Sequence, residues 1–114
     1  MSTRKDADYL ANMLDAARKA FGKVQGIPRE TFTTDENLRI TVVYLIQIIG
    51  EAAARVSAEV RQVHPEIPWR KIVGMRHRLV HDYLDVDEEV VWQVATRDLP
   101  PLISALEKIV GPET

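Results

Sequence analysis

The chain contains no cysteine. Disulfides, thiolate metal sites and a cysteine nucleophile are thereby excluded, and a reducing compartment is a natural home. Aromatic residues are few, with two Trp, three Tyr and two Phe among 114 residues, so aliphatic side chains must fill the core. Long apolar runs are missing as well. The most apolar stretch, VVYLIQII at 42–49, falls far short of the roughly 20 residues of a bilayer-spanning helix. The N-terminal MSTRKDADYL lacks the apolar segment of a secretory signal. These absences predict a cytoplasmic protein that does not engage a membrane. Nor is there an excess of either charge, since the formal net charge is −2 with His neutral. A general nucleic-acid coat is strongly basic, so any contact with nucleic acid has to come from a local patch.

What is present is ordinary in bulk and uneven in detail. Hydrophobic residues make up 46% and charged residues 28%, as in a soluble globular domain. The length suits one domain, 1–114, with a modest core. Leu10, Met13, Leu14, Ala17, Phe21 and Val24 recur at helical spacing and predict a first helix over about 3–24. GIPRETFTT is a connector broken by Gly26 and Pro28. Thr33 with Glu36 three residues on predicts a capping box for the second helix. Leu38, Val42, Leu45, Ile49, Ala52 and Val56 form its apolar stripe, and further apolar positions broaden it until Pro65 stops the helix. A helix so apolar must be wrapped by neighbours or pack on a second subunit, and a chain of about four helices can hardly surround it. The sequence therefore predicts a dimer. A third helix is expected from about Pro68 to Val80 and a fourth after an Asp85 or Asp87 cap, broken or kinked by Pro100 and Pro101 into two segments, 87–98 and 100–110. No convincing strand appears. The expected fold is all-α, an antiparallel bundle of four to five helices.

Charge is concentrated at one place. Residues 70–78 hold four cations (Arg70, Lys71, Arg76, Arg78) and no acid, whereas 82–89 hold five acids and no cation. Within MRHRLVHDY, 75–83, Arg76, His77, Arg78 and His81 crowd six positions. Three chemistries compete for this cluster. Metal binding would use His77 and His81, four apart on one helical face, but the position after the first His is a cation, Arg78, where a metalloprotease helix has Glu. A structural reading pairs Arg78 with Asp82 and lets the histidines cap a helix end. Phosphodiester cleavage needs a base for the ribose 2′-hydroxyl, an acid for the departing 5′-oxygen and a cation for the charged phosphorane. Histidine serves the proton roles, and the guanidinium fork suits phosphate. Arg76 and His81 offer both. On an ideal helix they stand about 140° apart, so the helix must end near His81 or the arginine must reach around.

RHRLVHDY matches the RxxxxHxY form of the HEPN ribonuclease motif. With IGEAAARVS, HPEIPWRKIVGMRHRLVHDYLDVD and VVWQVATRDLPPL, the chain resembles the HepT toxin branch of that superfamily over about 36–106. Gly50-Glu51, Pro65 to Trp69 and Trp92 in this order add to the specificity of the match. The resemblance implies a homodimeric helical bundle and a metal-independent RNA endonuclease, the toxin of a type VII-like toxin–antitoxin pair, with no cofactor. Its implied partner is a MntA-like minimal nucleotidyltransferase that silences the toxin by transferring AMP to the motif tyrosine, here Tyr83. Arg76 and His81 become the catalytic pair. His77 stands where the family commonly has Asn and takes a supporting role, as does Glu51, which is expected to orient Arg76 or His81 across the bundle. Arg70, Lys71 and Arg78 become RNA phosphate contacts. The alternative is a non-catalytic HEPN module that docks on a nucleotidyltransferase and holds nucleotide or phosphate. The chain is not itself the transferase, because it lacks a Gly-Ser nucleotide-binding loop.

Overall fold

The computed structural model describes residues 4–82 and 85–111, without the side chains of Arg76, Val80, His81 and Asp82. Helix α1 (Arg4–Val24) buries Leu10, Met13, Leu14, Ala17 and Val24 on one face, the apolar set expected from its spacing. Gly26, at φ 80°, lets the chain leave the helix through the left-handed region that glycine tolerates. The connector then contains a short helix, α2 (Arg29–Thr34), which sends Phe32 fully into the core.

Helix α3 (Glu36–Arg55) is the central element. Its cap is Asp35, whose carboxylate accepts from the Leu38 amide at 3.0 Å. This corrects the capping box expected at Thr33, which lies inside α2. α3 also stops earlier than Pro65. Val56 and Ser57 interrupt it, and Ser57 opens α4 (Ala58–Val63) by accepting from the Val60 amide. The buried Asp6 carboxylate fixes this break by accepting from both the Ser57 amide (2.9 Å) and its hydroxyl (3.0 Å). Arg61 completes the end of α3, its guanidinium donating to the carbonyls of Ala53, Ala54 and Val56. Carbonyls that a helix end leaves unpaired are satisfied in this way.

The third predicted helix is two short ones, α5 (Trp69–Val73) and α6 (Met75–Leu79), jointed at Gly74. The chain then extends as β1 (Val80–Asp82), paired antiparallel with β2 (Asp85–Val86), Val80 opposite Val86. This small ladder is the one strand pairing among the described residues, and it was not foreseen. Asp87, not Asp85, caps α7 (Glu88–Gln93), accepting from the Val90 amide at 3.1 Å.

Pro100 and Pro101 do not break the last helix. The backbone passes from α7 through a π turn, Val94–Asp98, directly into α8 (Leu99–Val110). Proline lacks an amide hydrogen and its ring presses on the carbonyl four residues back. A locally wider ladder accommodates both, with the Leu99 amide donating to Val94. The Thr96 hydroxyl donates to the Trp92 carbonyl at 2.7 Å.

The core is a bundle in which α1 packs along α3 and α8, while α5 and α6 lie on another flank of α3. Arg18 of α1 reaches Glu107 of α8 at 2.8 Å. α3 is the one described helix long and apolar enough to cross a bilayer. Seven of its residues, Val42 and Ile49 among them, are buried against its neighbours, as in a core helix.

Candidate functional site

α5, α6 and β1 carry the cluster, and their inner faces explain how it is held. Trp69 is buried and donates from Nε1 to the His64 carbonyl at 2.9 Å, with the Arg61 guanidinium 5.9 Å from its ring centre. Ile72, Met75 and Leu79 are buried at intervals of three and four, the spacing of one helix face. The intervening positions must then face outwards, and Arg70, Lys71, His77 and Arg78 are exposed. α5 comes close to α3 because residue 50 is glycine: a Cβ there would stand 3.2 Å from the Ile72 carbonyl oxygen.

Arg76 is the second residue of α6, and His81 is the middle residue of β1. The helix ends at Leu79, before the histidine. Arg76 and His81 therefore do not lie on one continuous helix. The two residues stand on elements meeting at a corner rather than 140° apart on one helix. The Asp87 amide donates to the Leu79 carbonyl at 2.7 Å and ties this corner to the start of α7. Tyr83 lies outside the described residues, and the Arg76 and His81 side chains lie outside them too. Among the described residues no three His, Asp or Glu side chains gather closely enough to hold a metal ion.

Glu51 has different surroundings within one chain. It is exposed on α3 and lines a groove of about 400 Å³ with Tyr9, Lys19, Tyr44 and Arg55. The flank of α3 that meets α5 is marked instead by Gly50.

A polar knot behind the hairpin was not foreseen from the sequence. Arg29 pairs with Glu89 at 2.7 Å and lies 5.8 Å from the centre of the Trp92 ring, which packs on Phe32 at 5.1 Å. Arg39 approaches Glu88 at 3.7 Å and donates to the carbonyls of Phe32 and Thr33. Hydrogen bonds from Arg29 and Gln93 hold the Glu89 carboxyl below the usual carboxylate range. The knot joins α2 to the first turns of α7, immediately after the hairpin. Trp92, one of only two tryptophans, was its single sequence signal.

Comparison with known proteins shows the family of the chain. The model of the HepT-like family, ribonuclease HepT-like, matches residues 13–109. The chain belongs to the HepT-like ribonuclease family. Among its relatives, a probable ribonuclease HepT of Thermococcus cleftensis is 34% identical over 106 residues, covering 93% of this chain and 96% of the relative. A candidate RNase of Caldanaerobacter subterraneus is 32% identical over 105 residues, covering 92% and 94%. Another, from Methanocaldococcus jannaschii, is 32% identical over 110 residues, covering 96% and 95%. No solved structure matches the chain. Within this HepT-like chain, Arg76 belongs to α6 and His81 to β1.

Proposed function

We propose that this chain is a metal-independent RNA endonuclease, the toxin of a toxin–antitoxin pair. The observation that supports the reading is the end of α6 at Leu79, so that Arg76 and His81 belong to adjoining elements, in a stretch whose Arg70, Lys71, His77 and Arg78 are exposed, in a member of a ribonuclease family. His81 takes the proton from the ribose 2′-hydroxyl. The 2′-oxygen attacks phosphorus, and Arg76 stabilises the phosphorane charge. The 5′-oxygen leaves with a proton from an acid, leaving 2′,3′-cyclic phosphate and 5′-hydroxyl ends. One chain supplies one such histidine, so a second copy supplies the acid, and His77 supports the pair. Arg70 and Arg78 hold flanking phosphates, and Lys71 adds positive charge beside them.

The second copy has a surface to occupy. Ile40 and Tyr44 of α3 are 60% and 62% exposed. With Asn37, Gln47, Glu51 and Ala54 they continue the alternating three- and four-residue steps of a helix-pairing seam. The seam lies between the α1 groove and the flank that carries α5, so pairing through it brings two basic faces towards one cleft. It also places the Glu51 of each copy in the interface. Silencing would come from a MntA-like minimal nucleotidyltransferase. The Tyr83 hydroxyl attacks the α-phosphorus of ATP, pyrophosphate departs, and the bulky anion at the corner repels RNA.

The test is cleavage of bulk tRNA and a structured mRNA in EDTA by the parent, Arg76→Ala and His81→Ala proteins. The parent should cleave, and each variant should lose at least about 100-fold in rate with an unchanged melting profile. Equal activity in all three proteins refutes the site.

A further inference from the structure

We infer that the pocket between α5 and α8 is a nucleobase subsite selecting guanine beside the scissile phosphate, a reading that rests on the ribonuclease assignment. The pocket has a volume of about 190 Å³. Sites for whole drug-sized ligands run to about 300–1,000 Å³, so this one fits a single ring system. Pro68, Ile72 and Met75 form one wall, and Pro101 and Leu102 form the other, a slot of apolar faces that suits a flat base.

Two features point to a base rather than to a partner's apolar side chain. The first is the rim. Lys71, Glu66 and Asp98 all line the same pocket, yet neither Lys71 nor Asp98 forms an ion pair or hydrogen bond with a described side chain. Opposite charges around an apolar slot, without partners among the described side chains, match an edge that presents both donors and acceptors. Guanine offers N1–H and N2–H to a carboxylate fork and O6 to an ammonium. Adenine offers only one such donor position to that fork, and the pyrimidines leave the slot partly empty. His64 Nδ1 stands 3.5 Å from the Glu66 carboxylate, whereas Asp98 has no side-chain partner among the described residues, so Asp98 is the acceptor assigned to the base. The second feature is place. Met75 forms part of the wall and Arg76 follows it in α6. α6 is five residues long, about 7.5 Å of rise, so the corner and the pocket are roughly one nucleotide apart. Lys71 then contacts the base edge, and Arg70 and Arg78 remain for phosphate. The π turn ends at Asp98, and such wide turns recur at functional sites.

Methyl NMR of the purified full chain tests the subsite without relying on cleavage. Met, Ile and Leu methyls are followed while 3′-GMP, 3′-AMP, 3′-CMP and 3′-UMP are added in turn. The expected result is that 3′-GMP shifts Ile72, Met75 and Leu102 most. Asp98→Asn should weaken that response about tenfold, and Leu102→Trp, which fills the slot, should abolish it. Equal responses to all four nucleotides, or shifts confined to other methyls, overturn the subsite. So does a shift of these same methyls on raising protein concentration alone, which assigns the pocket to a second copy of the chain. RNA cleavage in EDTA is scored separately. Guanine-selective shifts without cleavage refute the ribonuclease reading, whereas cleavage without guanine-selective shifts refutes the subsite.

Discussion

At Gly50 the side chain is absent because the Ile72 carbonyl stands where a Cβ would go, 3.2 Å away. Backbone cannot swing aside as a flexible side chain can. Gly50→Leu should therefore cost about 1–3 kcal/mol, visible as a melting temperature lower by several degrees. RNA cleavage should fall with it, since α5 would be pushed off α3. At Glu89 the interaction is electrostatic and exposed. Its carboxyl is depressed chiefly by the Arg29 hydrogen bond, so its contribution is complete above the ordinary carboxylate range and fades as pH falls through the depressed value. The stability gap between the parent and Glu89→Gln should accordingly close in acid and narrow in 1 M salt, as urea titrations would show. Individual buried residues were readable from spacing alone: Leu10, Met13, Leu14, Val42 and Ile49 all sit where their periodicity puts them. Arg29, Arg39 and Arg61 were not. A cation's partners on distant segments leave no local pattern.

Elements were readable as to type and less so as to ends, and the misplaced ends share a cause. A cap is a competition among neighbouring side chains, and tertiary contacts decide it. Thr33 with Glu36 has the right spacing, but α2 occupies Thr33, and Asp35 binds the Leu38 amide instead. Apolar residues continue through Val56 and Val60, yet buried Asp6, 51 residues away, claims Ser57 and ends α3 there. Ser57→Ala removes both the cap of α4 and a hydroxyl donor to a buried carboxylate. The expected cost is about 1–3 kcal/mol in urea unfolding, whereas Thr33→Ala should change stability by less than about 0.5 kcal/mol. The hairpin went unseen because five strand residues carry no alternation long enough to register.

For the molecule as a whole, the sequence already pointed to an all-α bundle, to the motif and to the family. The pocket and the polar knot required the fold, because their residues come from segments far apart in the chain. The proposed pairing through α3 makes a prediction at this scale. Ile40→Asp combined with Tyr44→Asp places charge on the exposed seam without touching the core. It should yield a folded monomer by sedimentation equilibrium, with RNA cleavage lost if two copies complete one site. A dimer that survives both charges moves the interface elsewhere. The π turn bears on chain length rather than composition. Its i→i+5 bonding holds one residue more than the same turn of α-helix. Deleting one residue within 94–98 would close it to an ordinary turn, leaving Leu102 and Leu106 in the core and pressing the rings of Pro100 and Pro101 on the turn before them. A gap further along α8 has no such slack, and everything after it would turn by about 100°. Homologues can therefore lose one residue at this turn more freely than within the helix that follows it.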